Sequence, residues 1–138
     1  MSKSNPNDKI LVVEDNKTIA QSLAEIIASF GFRCEIAADG QAAMGLLKDN
    51  TYFLMITEPR LPKVSGFKLL KYVSENLSAM LVAVLSTDNT PDSRGIIVRS
   101  RADFYIAKPI KATNVRDVLL TAKDTRDRQQ SSFNKQLS

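Results

Sequence analysis

Short apolar runs alternate with amphipathic segments along most of the chain. The run from Lys9 to Val13 is β-branched and stops at Glu14, which is typical of a strand buried on both faces of a parallel sheet. Between Thr18 and Phe30, apolar residues recur every three or four positions, and Gly31 follows as a stop signal. The chain therefore opens with a predicted strand and helix.

The same alternation repeats four more times. Strands are predicted at 34–38, 52–56, 80–85 and 104–107, and helices at 42–47, 67–77, 92–100 and 115–122. Because right-handed crossovers return to the same sheet, we expect an α/β fold with a doubly wound, five-stranded parallel sheet. The flavodoxin-like (βα)5 fold, with strand order 2-1-3-4-5, suits units of this length, although spacing alone does not give the order.

The two ends of the chain are polar. Residues 1–8 are predicted to form a loose, flexible arm, and residues 127–138 lack periodicity and are predicted to fray. Residues 9–126 then form one domain, which the total length of 138 residues allows.

Composition narrows the class of protein. A single cysteine, Cys34, cannot form an internal disulfide, and we find neither a membrane-spanning apolar run nor a secretory signal. We therefore expect a cytoplasmic protein without a membrane partner. The chain has no histidine, which excludes histidine-based catalysis and histidine-ligated metals. The net charge of +4 is spread along the chain without interleaved aromatic residues, so nucleic-acid binding is not expected.

Polar residues that could bind an ion or take part in a reaction follow the predicted strands. Glu14 and Asp15 come after the first strand, Glu58 after the third, Ser86 after the fourth and Lys108 after the fifth. The acidic pair alone is better explained as a favourable start to the first helix. Because all these loops share one edge of the sheet, the set together predicts a site for a divalent cation and a phosphoryl group.

Three motifs in this order resemble the receiver domain of two-component response regulators, from about Lys9 to Lys123. They are ILVVEDN at 10–16, LST at 85–87 and YIAKP at 105–109. The resemblance implies the flavodoxin-like fold and a role in two-component signal transduction and phosphorelay. With no second domain expected after Lys123, it implies a stand-alone receiver.

The resemblance also assigns ligands for a metal ion. Asp15 would be the main Mg²⁺ ligand with Glu14 assisting, and Glu58 and the backbone carbonyl of Arg60 would complete the set. We expect Mg²⁺ binding to be weak, because the side chain of Glu58 is longer than the aspartate usual at that position.

A second group of residues would form the switch. By the resemblance, Ser86 would be the switch hydroxyl, Tyr105 the rotating aromatic and Lys108 the partner of the phosphoryl group. The bond between Lys108 and Pro109 would be cis, an isomer that only bonds preceding proline adopt at modest cost.

The chain departs from the family at the phosphate-accepting residue. The loop after the third strand matches the family through Leu61 and Gly66, which places Glu58 where the family has aspartate. Glutamate advances the carboxylate by about 1.3 Å, and near-attack geometry is sensitive to displacements of that size. Pro59 also lacks an N–H that could contact phosphate oxygens. Phosphotransfer onto this chain is therefore expected to be slow or absent.

Two consequences of this departure stay open at this point. The Glu58 carboxylate can pair with Lys108 and Ser86 and imitate part of the charge of a phosphoaspartate, or it can form a merely structural ion pair. Our hypothesis is an atypical receiver that binds a partner protein through the last helix–strand–helix unit. The rival hypothesis is a phosphorylatable receiver that takes phosphate from a sensor histidine kinase onto Glu58 and removes it again. A flavin-binding protein of the same fold is disfavoured, because the chain lacks tryptophan and a phosphate loop rich in Ser, Thr and Gly.

Overall fold

A computed structural model of the chain describes residues 8–61, 63–86 and 102–137, apart from the side chains at positions 67, 86 and 132–137. The strands are β1 (Lys9–Val13), β2 (Arg33–Ala37), β3 (Leu54–Thr57), β4 (Leu81–Ser86) and β5 (Phe104–Ala107). The helices are α1 (Lys17–Ser29), α2 (Gly40–Asp49), α3 (Gly66–Asn76) and α4 (Ala112–Leu137). The helix predicted at 92–100 lies outside the described residues.

All five strands are parallel and lie in the order β2-β1-β3-β4-β5. The predicted fold class and strand order are confirmed. β1 and β5 have the bounds expected from the sequence, whereas β3 starts at Leu54 and not at Tyr52. The two residues before β3 are still buried, and the backbone N–H of Phe53 donates to the carbonyl of Lys9 at 3.1 Å.

The sheet has an apolar layer on each face, as its continuous apolar strands predict. In β1, Ile10 and Val12 pack on the layer that contains α1 and α4, while Leu11 and Val13 pack on the layer that contains α2 and α3. Because successive side chains of a strand point to opposite faces, the inner strands β1, β3 and β4 must be largely apolar along their whole length. The edge strand β2 differs, because Arg33 and Ile36 are exposed.

Three helices begin at a side-chain cap. The side chains of Asn16, Asp39 and Ser65 each accept a hydrogen bond from the backbone N–H three residues later, at 3.1, 2.8 and 3.3 Å. Each cap satisfies one of the N–H groups that the first turn of a helix leaves without an intrahelical partner. These caps start α1, α2 and α3 directly after the loops that form the candidate site.

Helix α4 continues well beyond Asp127, where the sequence pattern predicts a frayed tail. The buried side chain of Arg126 anchors this extension, because its guanidinium pairs with Asp8 at 2.5 Å and with Asp127 at 3.0 Å. The same guanidinium lies 4.8 Å from the centre of the Phe53 ring, within the range of a cation–π contact. Helical periodicity in apolar residues could not reveal an anchor made by a charged side chain.

At the N-terminal edge of the sheet, the extension forms one wall of a groove of about 800 Å³ against the ends of α2 and α3. Within the part of the chain described, no helix is both long and apolar enough to cross a membrane.

We expect Arg126→Met to destabilise the domain by about 2–4 kcal/mol, because it leaves the Asp8 carboxylate without its buried partner. Methionine has a helix propensity close to that of arginine, so the loss reports on the ion pair rather than on the helix. Urea denaturation measures the free energy of unfolding.

Arg128→Met is the matched control. Arg128 pairs with Asp124 on the same helix, but both side chains are more than half exposed, so we expect a loss below about 0.5 kcal/mol. Equal losses in the two variants would contradict the proposed anchor.

Candidate functional site

The two acidic residues at the centre of the site lie side by side because β1 and β3 are paired in register. Val13 is opposite Thr57, so Glu14 and Glu58 leave the sheet at the same edge. The N–H of Glu14 donates to the carbonyl of Ala37 at 3.1 Å, and the N–H of Glu58 donates to the carbonyl of Val13 at 3.0 Å. Both residues are therefore fixed by the ladder of the sheet and both are buried.

Lys108 joins these two carboxylates. Its Nζ lies 2.5 Å from Oε1 of Glu14 and 2.8 Å from Oε2 of Glu58, and only 13% of its side chain is exposed. One ammonium group thus lies between two carboxylates from two different strands. At this range in a partly buried site the Coulomb attraction is stronger than in a surface ion pair, and it offsets the cost of removing the charges from water.

The Glu58 carboxylate is held on both of its oxygens. Oε2 accepts a hydrogen bond from Lys108, and Oε1 accepts one from the backbone N–H of Arg60 at 3.1 Å. Pro59 has no N–H, so the N–H of Arg60 is the first backbone donor after Glu58. Both oxygens of the Glu58 carboxylate therefore already have a hydrogen-bond donor.

The backbone around Glu58 is fixed by close contacts. The hydroxyl of the buried Thr57 donates to the carbonyl of Glu58 at 3.2 Å, and the N–H of Gly66 donates to the carbonyl of Pro59 at 3.0 Å. A Cβ atom at Gly66 would lie 2.6 Å from the Glu58 carbonyl oxygen and 2.5 Å from Cα of Pro59. Glycine at position 66 is required by this close approach.

A second close approach holds the outer part of the same loop. A Cβ atom on Gly40 would lie 1.7 Å from the carbonyl oxygen of Val64, so the start of α2 packs directly on the loop. Lys63 has a left-handed backbone with φ of 67°, and its Nζ lies 3.4 Å from Asp39. These contacts tie the loop after β3 to the loop after β2.

Glu14 is the most deeply buried charged group of the site. Burial raises the pKa of its carboxyl group above the ordinary value of 4.5, and the nearby Lys108 partly offsets that rise. Its Oε1 lies 2.5 Å from Nζ of Lys108, and a hydrogen bond from the backbone N–H of Asn16 also lowers the pKa. Lys108 is therefore its main electrostatic compensation.

The residues predicted to bind Mg²⁺ have different surroundings. Asp15, expected to be the main ligand, is exposed, and Lys108 lies between Glu14 and Glu58. Within the described ranges, no three His, Cys, Asp or Glu side chains come together in a group able to hold a metal. The buried Glu14 would attract a cation, but here the positive charge is supplied by the lysine.

The remaining predicted residues lie at the same edge of the sheet. Ser86 ends β4 opposite Ala107, and its side chain is outside the described part of the structure. Tyr105 on β5 is half-buried and packs against the layer of α2 and α3. The peptide bond between Lys108 and Pro109 is cis.

Three contributions to the site were not anticipated from the sequence. They are the N–H of Arg60, the hydroxyl of Thr57 and the packing of Gly40. For Arg60, the sequence analysis assigns a role only to the carbonyl. The absence of an N–H at Pro59 was a signal that the next amide would serve as the donor. The sequence gives no comparable signal for Gly40, because the contact joins loops that are far apart along the chain.

A sequence model of the response regulator receiver domain matches residues 10–120. The chain belongs to this family. Receiver domains of two-component response regulators typically bind Mg²⁺ at the phosphorylation site, and they interact with sensor histidine kinases and other proteins.

Curated relatives of the receiver are longer proteins. The chain is 34% identical over 125 residues to the transcriptional regulatory protein DltR of Streptococcus agalactiae, covering 89% of this chain and 53% of DltR. It is 28% identical over 116 residues to the autoinducer 2 sensor kinase/phosphatase LuxQ of Vibrio parahaemolyticus, covering 83% of this chain and 14% of LuxQ. The chain therefore spans about half of one relative and a small part of the other.

Solved structures of receivers resemble this chain over most of its length. The receiver domain of the Francisella response regulator 1452 matches with a TM-score of 0.77 and 25% identity, covering 89% of this chain and 99% of that one. The chemotaxis response regulator CheY4 of Vibrio cholerae matches with a TM-score of 0.78 and 22% identity, covering 84% and 98%. At 22% identity, the match to CheY4 supports the fold alone.

We expect the Glu14 carboxyl of the folded receiver to titrate above 4.5, and Lys108→Met to raise its pKa further by removing the nearby cation. An acid whose pKa is raised by folding stabilises the folded state at low pH. That contribution is lost as pH rises from 4.5 through the folded-state pKa.

Carboxyl carbon chemical shifts followed against pH measure the titration directly. Lys111→Met is the control. Lys111 is exposed, and its replacement removes the same charge at a position three residues away. A lower Glu14 pKa in Lys108→Met than in wild type would contradict this account.

Proposed function

We propose that this receiver acts by binding a partner protein in the cytoplasm, without an ordinary cycle of phosphorylation. The observation that carries the proposal is the double engagement of the Glu58 carboxylate by Lys108 and by the N–H of Arg60. A phosphoryl group at this position would have to compete with the side chain of Glu58 itself for both donors.

The chemistry of the acceptor supports the same proposal. In-line attack on a phosphodonor requires a carboxylate oxygen placed within near-attack distance, and displacements of about 1 Å cost large factors in rate. The oxygens of Glu58 instead face their own lysine and amide, and only 8% of the residue is exposed. The nucleophile is thus both longer than the family's aspartate and already occupied.

The paired carboxylate also suggests how the receiver is held in one state. It supplies one negative charge next to Lys108, where a phosphoryl group would supply about 1.5 to 2. A difference of a few kcal/mol between two conformations is enough to make one dominant. We propose that the ion pair between Glu58 and Lys108 favours, in this way, the conformation that a phosphoaspartate would stabilise.

The proposed output surface is the one expected from the sequence. It comprises β5 and α4 together with the helix predicted at 92–100, which lies outside the described residues. Tyr105 lies on β5, and Lys108 follows the last residue of that strand. This short segment connects the surface to the site, because Lys108 contacts Glu58. The proposed partners are a sensor histidine kinase or another protein of the same pathway.

A second function stays open as the rival: phosphate transfer from a sensor histidine kinase onto Glu58. Glu14, which is buried, and Asp15, which is exposed, are both retained at the end of β1. In this alternative, Glu58 would have to leave Lys108 and Arg60 before it could react.

We predict that a radiolabelled small phosphodonor leaves the wild-type receiver unlabelled and labels Glu58→Asp at least partly. The shorter side chain moves away from its donors and leaves them for the phosphoryl group. Glu58→Asp combined with Pro59→Ala tests whether the missing N–H limits labelling. Glu58→Gln is the unreactive control, and stable labelling of the wild type would favour the rival function.

We predict weak binding of Mg²⁺ to the wild-type receiver, with a dissociation constant of about 1 mM or higher, because Lys108 already offsets one of the two carboxylate charges. Calorimetry with Mg²⁺ measures it, and Asp15→Ala should weaken it further. A response that is saturable below millimolar concentrations, or that is unaffected by Asp15→Ala, would contradict this expectation.

We predict that Glu58→Gln turns the half-buried ring of Tyr105 outward, towards solvent, and weakens binding of the partner protein. The amide of glutamine keeps the size of the side chain but removes its charge. The fluorine signal of 3-fluorotyrosine at position 105 reports the environment of the ring. Lys123→Ala, an exposed change on α4, should leave that signal unchanged. A structure with Tyr105 outward while Glu58 still contacts Lys108 would reject the proposed bias.

A further inference from the structure

The buried face of α4 continues into the last turns of that helix. Leu119, Ala122 and Arg126 are buried and recur every three or four positions. The same period, continued along the helix, leads to Phe133 and Leu137. The face that covers the core therefore has apolar residues again near the end of α4.

The sheet of the same chain does not reach these last positions. Arg126 pairs with Asp8, the residue directly before β1, so it is level with the edge at which that strand begins. At a rise of about 1.5 Å per residue, Phe133 and Leu137 lie about 10 and 16 Å farther along the helix axis. After Arg126, α4 contains no proline or glycine, residues at which helices usually kink. The end of α4 therefore extends beyond the edge of the sheet.

A groove lies beside this extension. Among the described side chains of α4, Arg126, Gln129 and Gln130 line it, and its floor includes Leu77 and Met80 from the chain between α3 and β4. We propose that a second copy of this chain covers the groove, with the two α4 helices packed antiparallel. Phe133 and Leu137 of each copy then lie over the groove of the other.

Twofold symmetry makes this arrangement self-limiting. Each copy gives and receives the same contact, so the interface closes at a dimer. The inference goes beyond the proposed function, because the groove is at the edge of the sheet opposite the candidate site.

Charge placement supports the antiparallel pairing. If the two helices cross at Ser131, position 127 of one copy lies opposite position 135 of the other. Asp127, whose side chain is 53% exposed, then faces Lys135, which is the sole charged residue after Arg128 in the sequence. Serine at the crossing is small enough for a close approach of the helices.

The groove favours an apolar occupant over an anion. The guanidinium of Arg126 is already compensated by Asp8 and Asp127. An anionic ligand would have to displace one of these carboxylates, whereas an apolar side chain leaves both ion pairs in place. The aromatic and aliphatic residues at the end of α4 meet this requirement.

The dimer is expected to be weak. Phe53 and Met80, which line the groove, are only 7% and 8% exposed in a single copy, so little apolar surface is left to bury. Interfaces of less than about 1,200 Å² are typical of transient association. We expect a dissociation constant between about 10 µM and 1 mM.

Sedimentation velocity of the full chain between about 10 µM and 1 mM tests the inference. Wild type should shift from monomer to dimer over this range. Phe133→Gln combined with Leu137→Gln should stay monomeric, because the apolar contacts are lost while the helix propensity is kept. Leu120→Gln is the matched control. Leu120 is 53% exposed on the same helix but off this face, so its replacement should leave self-association unchanged.

A variant on the groove side tests the other half of the contact. Ala79 is exposed and lines the groove, so Ala79→Arg places a long charged side chain there without replacing a buried residue. This variant should also stay monomeric. Its midpoint of urea denaturation should match that of the wild type, which separates a lost contact from a lost fold.

Paramagnetic broadening between two differently labelled copies locates the contact. A nitroxide is attached to Ser138→Cys in a Cys34→Ser background, and this copy is mixed with ¹⁵N-labelled wild type. The amide signals of residues 51–53 and 77–80 in the ¹⁵N-labelled copy should broaden. Ala79→Arg in that copy should remove the broadening.

A wild type that is still monomeric at about 1 mM would overturn the inference and leave the groove to a different protein. A dimer that persists in the double variant at positions 133 and 137 would also overturn it. Loss of the dimer in Leu120→Gln would instead assign self-association to another face of α4. None of these results bears on the proposed function, which phosphodonor labelling tests separately.

Discussion

The ion-pair cluster of Lys108 with Glu14 and Glu58 is the interaction on which the rest of the site depends. Each member comes from the end of a different strand, so the cluster exists only because β1, β3 and β5 end at one edge of the sheet. Removing Lys108 would leave the buried carboxylate of Glu14 without its cation. Such a charge is costly unless something else pairs with it.

The surrounding structure holds this cluster in place. Thr57 and Gly66 fix the backbone that carries Glu58, and Gly40 lets α2 approach the loop after β3. The two apolar layers in turn fix the strands, since each strand packs on both of its faces. The position of one carboxylate therefore follows from contacts that reach across most of the domain.

Most of the fold could be predicted from the sequence, because runs of apolar residues and helical spacing directly reflect burial. The continuous run at Lys9 to Val13 is an example, since a strand buried on both faces cannot alternate. The extension of α4 could not be predicted in this way. It depends on Arg126, whose partner Asp8 lies far away along the chain.

The site was predictable at the level of which residues meet, and less so at the level of how they pair. The order of polar residues after the strands predicts that Glu14, Glu58 and Lys108 meet at one edge of the sheet. Their spacing could not show that Lys108 lies between the two acids, or that Asp15 remains exposed. Those features depend on side-chain directions and on competition for a few donors, which a one-dimensional pattern does not contain.

The central claim is that Glu58 already occupies the donors that would bind a phosphoryl group. Titration of wild type and Glu58→Asp with beryllofluoride and Mg²⁺, followed through backbone amide shifts, tests it most directly. The account predicts no saturable shifts at residues 58–60 and 105–108 in wild type, and saturable shifts in Glu58→Asp. Saturable shifts in wild type, with release of the contact between Glu58 and Lys108, would contradict the account.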